Sequence, residues 1–207
     1  MAKVKDGSRS GLSGKADGMV YVRFNGETYT RKLPQRKKEA WTPGMLQNLE
    51  RFRQVNSFCS QFTTTVIPQI WKGAAEKMTG YAFFLKSNMP AFGPDGSLQD
   101  AKKLRFSTGK LSFPQGFEAQ RSEVDNNRIE VIWPKELHVG GIHLKDELMV
   151  ISSGDGEYSD ISETGILRGQ LSGSFELPEL SSEASHIYLF FGSRDHRDYS
   201  DSVCFEI

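Results

Sequence analysis

The hydrophobic pattern near the start of the chain predicts a β-hairpin. In residues 19–34, MVYVRFNGETYTRKLP, apolar and polar positions alternate, so that Val20, Val22 and Phe24 fall on one face of a strand. Asn25-Gly26 follows, and both residue types tolerate the positive φ angles of a tight hairpin turn. A two-stranded hairpin is only marginally stable in water. We therefore expect it to pack against another element or another chain.

A helical period replaces the alternation after Trp41. Thr42 is a suitable N-cap, and Pro43 suits the first helical position. Apolar residues then recur every three or four positions, which predicts a helix of about five turns with one apolar face. Two shorter helices are predicted in QIWKGAAEK and TGYAFFLKSN. The apolar positions of the long helix are Met45, Leu49, Phe52, Val55, Cys59 and Phe62.

The second half of the chain has the pattern of short antiparallel strands. From Leu104 onward, segments rich in β-branched and aromatic residues are separated by turn residues, and no helices alternate with them. This pattern predicts an antiparallel Ig/fibronectin-like β-sandwich with Trp133 in its core. The predicted fold class is α+β. Its parts are a basic arm and β-hairpin (1–40), a helical segment (41–90), a Pro/Gly-rich linker (91–103) and the β-sandwich (104–207).

Charge is distributed unevenly, although the net charge of the chain is zero. Residues 1–40 carry ten cationic and four anionic side chains, whereas residues 104–207 carry nine cationic and eighteen anionic ones. Such asymmetry indicates either an anionic partner for the N-terminal part or head-to-tail self-association. Two solvated surfaces of different sign would give the same numbers.

The chain has the composition of a cytoplasmic protein. Its N-terminus, MAKVKDGSRSGLSGKADG, has no apolar stretch of the kind that forms a secretory signal, and no apolar run is long enough to span a bilayer. The two cysteines, Cys59 and Cys204, lie in segments predicted to fold separately, so we expect reduced thiols rather than a disulfide. No membrane partner is expected.

Several segments resemble an uncharacterised protein family of Bacteroidota, a domain of unknown function. The resemblance lies in a Gly-Ser-Gly-Lys opening (Gly11, Ser13, Gly14, Lys15), a glycine turn, and a strand ending Arg-x-x-Pro at Arg31 and Pro34. It continues through TPGMLQNLERFRQVNSF and KMTGYAFFLKSN to the Ser-Asp-Ser-Val of residues 200–203. This chain has Phe24 where the family usually has Trp. The resemblance implies the same architecture and brings no activity with it.

The motifs of common enzymes are incomplete. GLSGK lacks the first glycine and the hydroxyl residue of a phosphate-binding loop, since Arg9 and Ala16 occupy those positions. His138 and His143 alone are an incomplete metal site. Two acidic clusters, SGDGEYSD and SRDHRDYSD, lack the ligand spacing of a calcium loop. We therefore expect no enzymatic activity, no cofactor and no metal.

The N-terminal hairpin remains as the candidate site, with two possible roles. In the first role, the chain is a self-associating assembly subunit of a phage-like or ring-forming particle. Apolar side chains of the hairpin would then anchor a homo-oligomer. In the second, cations bind nucleic acid. A third alternative is a small-ligand or carbohydrate-binding sandwich using Tyr158 or Tyr199. The oligomer candidates are Val20, Val22, Phe24, Tyr29 and Leu33, and the candidates for an anionic partner are Lys15, Arg23, Arg31, Lys32, Arg36, Lys37 and Lys38.

Overall fold

The structure is a computed structural model that describes residues 2–3 (backbone only), 13–34, 41–136 and 140–207. The chain divides into two units, residues 1–42 and 43–207. We call them the N-terminal sheet and the body. The fold is α+β with a C-terminal β-sandwich, as predicted.

The N-terminal sheet contains the predicted hairpin and two further strands. Asn25-Gly26 forms the turn with φ angles of 51° and 79°, the positive values that a type I′ turn requires. Asp17-Gly18 forms a second such turn with φ angles of 51° and 70°, and it adds a strand where the sequence predicted a basic arm. The antiparallel strands, in the spatial order β1-β4-β3-β2, are β1 (Ala2–Lys3), β2 (Gly14–Ala16), β3 (Met19–Phe24) and β4 (Glu27–Lys32).

The first and last helices of the body begin where the sequence predicts, whereas the middle helical segment begins at Ile67, before the predicted QIWKGAAEK, and includes Pro68. The first, α1, starts at Pro43, and Thr79 caps the last, its side chain accepting a 3.2 Å hydrogen bond from the Ala82 N–H. The predicted apolar face of α1 is buried only in its second half, because Met45 and Phe52 are exposed whereas Val55 and Cys59 are buried. The helices are α1 (Pro43–Ser60), a π-helical segment Ile67–Trp71 continued by α2 (Lys72–Ala74), and α3 (Gly80–Asn88).

The sandwich consists of two antiparallel sheets. One has the order β10-β6-β5; the other has the order β12-β11-β7-β8, with β9 also paired to β7. The predicted strand in KLRFSTGKLS is irregular chain instead, although Leu104 and Phe106 are buried. The strands are β5 (Glu118–Arg121), β6 (Arg128–Ile132), β7 (Glu147–Gly154), β8 (Glu157–Tyr158), β9 (Ser162–Leu167), β10 (Ser172–Glu176), β11 (His186–Gly192) and β12 (Val203–Glu206).

Two hydrophobic cores lie on opposite faces of β7 and β11. On one face Leu148 and Leu189 pack with Trp133 between the two sheets, which confirms the predicted core position of Trp133. On the other face Met149 and Phe190 pack against the helices. The body therefore has three layers, with the larger sheet in the middle.

The predicted linker at residues 91–103 does not separate two domains. Ala91 and Phe92 are buried in the core that helices and sheet share, and residues 43–207 form one unit. The Pro/Gly-rich composition here builds tight turns, with the Gly93 N–H donating to the Ser97 carbonyl at 2.9 Å. The division of the chain lies instead between Thr42 and Pro43.

Candidate functional site

The N-terminal sheet brings most of the predicted interface residues onto one face. Lys15, Val20 and Arg31 are directly paired across β2, β3 and β4. Val22 pairs with Tyr29 two residues further along the same face. Strands are about 4.8 Å apart, so the Cα atoms of Lys15 and Arg31 lie about 10 Å apart with Val20 between them. We call the side chains of these five residues the exposed face.

Two side chains on the opposite face of the same sheet are buried, whereas Arg23 and Lys32 on that face are exposed. Tyr21 and Thr28, which point away from the exposed face by the alternation of the strands, are 4% and 2% exposed. By contrast, Lys15 and Arg31 are exposed, Val22 is 37% exposed, and Val20 and Tyr29 are half-buried. The exposed face therefore combines a small apolar centre with cations at its edge, the arrangement typical of a protein interface.

The remaining interface candidates lie at the margins. Phe24 is half-buried beside the turn, where it pairs with Glu27. Leu33 is 41% exposed, and its N–H donates a 2.8 Å hydrogen bond to the Gly18 carbonyl. These two residues therefore border the exposed face rather than occupy its centre.

The four predicted cations that the structure describes do not share one face of the sheet. Arg23 pairs with Thr28 and Lys32 with Met19, which places both on the face opposite Lys15 and Arg31. Arg36, Lys37 and Lys38 lie outside the described residues. The four described cations are thus divided between two faces.

A buried charge cluster in the body was not predicted from the sequence. Arg168 is 2% exposed, and its Nε and Nη2 lie 2.8 and 2.6 Å from Glu136 Oε2. Its Nη2 also donates to Ser112 Oγ at 2.9 Å, and its Nη1 lies 3.9 Å from Asp146 Oδ2. The guanidinium carbon lies 5.1 Å from the ring centroid of Phe191. The only signal for this cluster in the sequence was an isolated cation within the strand-like segment GILRGQL.

Asp146 connects this cluster to a surface cleft of about 650 Å³, whose lining also includes His143, Ser193, Arg194 and Asp195. Its carboxylate lies 3.1 Å from His143 Nδ1. Burial raises the pKa of Asp146, while the hydrogen bond from His143 and the charge of Arg168 partly offset that effect. A carboxylate and an imidazole would need a nearby hydroxyl to form a catalytic triad.

Ser193, the serine of this cleft, is engaged in its own loop. Its Oγ donates to Asp195 Oδ1 at 2.8 Å and accepts from the N–H groups of Arg197 and Asp198 at 3.2 and 3.0 Å. The hydroxyl proton thus points to the Asp195 carboxylate rather than to His143. This hydrogen bond is also the main reason why the pKa of Asp195 is lowered. The arrangement orders the loop, and Arg168 holds the carboxylates of Glu136 and Asp146 together in the body.

The other candidate ligand groups are dispersed. His143 faces Asp146, while His138 lies outside the described residues. In the acidic clusters Arg197 lies 3.5 Å from Asp195, and Asp201 pairs with Arg105 at 3.4 Å. Within the described part of the chain, no group of three or more His, Cys, Asp or Glu side chains is placed to hold a metal ion.

The tyrosines considered for carbohydrate binding are not exposed platforms. Tyr199 is 2% exposed, and Tyr158 is half-buried against the rings of Phe58, Phe62 and Phe106. Both cysteines are free, and burial raises the pKa of Cys59 to about 12, so its thiol is uncharged and unreactive near neutral pH.

Comparisons with protein-family models, curated proteins and solved structures found no match to this chain. The resemblance to the Bacteroidota family therefore stays a prediction. In the described residues, no helix has both the length and the apolarity needed to cross a bilayer.

Proposed function

We propose that this chain is a non-enzymatic structural subunit, made in the cytoplasm, that assembles with copies of itself into a ring-forming or phage-like particle. The observation that carries the proposal is the exposed face of the N-terminal sheet. There Val20, Val22 and Tyr29 lie beside Lys15 and Arg31 on one face of the sheet. An apolar centre with a charged margin suits a protein partner better than a polyanion, which needs a continuous run of cations.

The charges of the two units support self-association. Residues 1–42 carry ten cationic and four anionic side chains, a net charge of +6, and residues 43–207 carry sixteen and twenty-two, a net charge of −6. Opposite charges on two surfaces of one chain favour a head-to-tail contact between copies, which closes into a ring or continues as a filament. Each exposed ion pair contributes only about 0–1 kcal/mol, so apolar contacts must supply most of the affinity.

The test compares the full chain with a chain lacking residues 1–42 by sedimentation velocity at high protein concentration. We expect the full chain to assemble and the truncated chain to be a folded monomer, because residues 43–207 form a unit with its own core. Val22→Asp should weaken assembly of the full chain. Val124→Asp is the matched control, since Val124 is 96% exposed in a loop of the body. A monomeric full chain at high concentration would refute the proposal.

Nucleic-acid binding, the alternative considered from the sequence, has its own measurement. Binding to duplex or single-stranded DNA would weaken steeply with salt, because each neutralised phosphate releases counterions. Replacing Arg36, Lys37 and Lys38 by Ala would then flatten the salt dependence. We expect no binding at low salt.

A further inference from the structure

The body carries a groove with an acidic margin between two adjacent segments of the chain. One segment is the β7–β8 hairpin of the larger sheet, and the other, residues 177–185, connects β10 of the smaller sheet to β11 of the larger one. Ser182 Oγ donates to the Gly154 carbonyl at 2.9 Å, and the Ser185 N–H donates to the Ser153 carbonyl at 2.8 Å. These hydrogen bonds hold the two segments together, so the groove belongs to the fold of the body. We call it the acidic groove.

The acidic groove has two connected parts with apolar side chains in their lining. The larger, about 610 Å³, is lined by residues that include Gln61, Tyr158 and Leu180. The smaller, about 260 Å³, includes Leu177 and Pro178. Glu179 and Leu180 line both parts, so the two form one continuous surface. A partner can therefore place apolar side chains beside Leu180 and cationic side chains beside the carboxylates.

Three exposed carboxylates line this surface, Glu157, Glu179 and Glu183, and the exposed Asp155 lies in the adjoining β7–β8 turn. Among the described residues, the cation within ion-pair distance of these acids is Arg121, 3.8 Å from Glu183. Its guanidinium already donates to the carbonyls of Asn126 and Ala184. The acidic groove thus has a net negative charge, which a concave surface concentrates.

The exposed face of the N-terminal sheet has the complementary chemistry. Lys15 and Arg31 flank Val20 at a separation of about 10 Å, and Val22 and Tyr29 extend the apolar centre. We propose that the acidic groove of one copy accepts the exposed face of the N-terminal sheet of a second copy. This inference rests on the proposed function and names the acceptor surface for it. The contact joins two different surfaces, so each copy can both donate a sheet and accept one.

Charge reversal tests the pairing. The groove variant carries Glu179→Lys and Glu183→Lys, and the sheet variant carries Lys15→Glu and Arg31→Glu. In a low-salt buffer each variant alone should assemble at least about tenfold more weakly than wild type, because like charges then meet at the contact. An equimolar mixture should assemble, since every contact between unlike variants joins opposite charges. Sedimentation velocity of each variant and of the mixture measures this directly.

A matched control changes the same charge elsewhere on the body. Glu118→Lys with Glu123→Lys replaces two exposed carboxylates of the smaller sheet and its turn, and this variant should assemble like wild type. Circular dichroism checks that every variant is folded, which is expected because all the changed side chains are exposed.

The outcomes separate the two proposals. If the sheet variant fails to assemble while the groove variant assembles like wild type, the sheet drives assembly through another surface and the groove inference is overturned. If both variants assemble like wild type, neither surface carries the contact, so the groove inference is overturned while self-assembly stands. If wild type is monomeric, the proposed function fails as well. If each variant assembles weakly by itself and the equimolar mixture assembles, the pairing of the groove with the sheet is supported.

Discussion

The indole Nε1 of Trp71 donates a 2.8 Å hydrogen bond to the main-chain carbonyl of Phe106. Both side chains are fully buried, and the two residues come from opposite sides of the Pro/Gly-rich stretch that the sequence predicted to be a linker. Phe106 also packs against Phe62 of the helical layer and Tyr188 of β11, with ring centroids 5.2 and 4.5 Å apart. The helices therefore share a core with the outer face of the larger sheet, and the chain on both sides of the Pro/Gly-rich stretch contributes to that core.

The shared core predicts that helix substitutions destabilise the whole body. Phe84 of α3 is fully buried, so Phe84→Ala should lower the free energy of unfolding by about 3–5 kcal/mol. Phe52→Ala is the control, because Phe52 of α1 is 47% exposed and should cost less than about 1 kcal/mol. Urea unfolding followed by circular dichroism measures both. Equal, small effects would mean that the helices unfold separately from the sandwich.

The helical layer was foreseeable from two strands. LMVIS in β7 and IYLFFG in β11 are continuous apolar runs without alternation, the pattern of strands that are buried on both faces. A two-layer sandwich open to water would instead alternate apolar and polar residues. Composition favoured a linker at MPAFGPDGS because prolines and glycines occur in both linkers and tight turns.

Two other features show what local patterns can and cannot predict. Strand β2, GKA, has no β-branched or alternating residues, yet the Asp17-Gly18 turn that follows it was itself a hairpin signal. Arg168 and Glu136, by contrast, are 32 residues apart in sequence. Only tertiary packing brings them together, so no local pattern could identify the cluster.

The Arg168 cluster predicts a large cost for removing its cation. Arg168→Ala would leave the partly buried Glu136 without its cation and would leave Asp146 with His143 alone. We expect a loss of about 3–5 kcal/mol of unfolding free energy. Arg194→Ala is the control, since Arg194 is exposed at the margin of the same cleft. Its effect should stay within about 0.5 kcal/mol. A small effect at Arg168 measured by urea unfolding would contradict the structural role of the cluster.

The raised pKa of Asp146 predicts a pH dependence of known sign. The folded protein holds this proton to higher pH than the unfolded chain, so the contribution of Asp146 to stability falls as pH rises through its folded pKa. An asparagine at this position cannot lose a proton, so the stability of Asp146→Asn relative to wild type should increase as pH rises from about 3 to about 6.

Asp195→Asn supplies the opposite case for the same experiment. The pKa of Asp195 is lowered, chiefly by the hydrogen bond from Ser193, so its contribution to stability is present above the unfolded pKa and is lost as pH falls. As pH rises over the same range, the stability of Asp195→Asn relative to wild type should therefore decrease. Urea midpoints at several pH values measure the stability of both variants. If the relative stability of the two variants changed in the same direction with pH, burial would not control the pKa of Asp146.

The type I′ turn at Asn25-Gly26 predicts a selective effect on the N-terminal sheet. Gly26 has a φ of 79°, where a side chain costs about 1–2 kcal/mol, so Gly26→Ala should loosen the pairing of β3 with β4. Amide hydrogen exchange in residues 19–32 should accelerate about five- to thirtyfold, and assembly should weaken with it. Gly44→Ala is the matched control, because Gly44 lies in α1, where an added methyl group would meet no atom within 4 Å and should stabilise the helix by about 0.4–1 kcal/mol. If Gly26→Ala accelerated exchange but left assembly intact, the geometry of the exposed face would not govern the contact between copies.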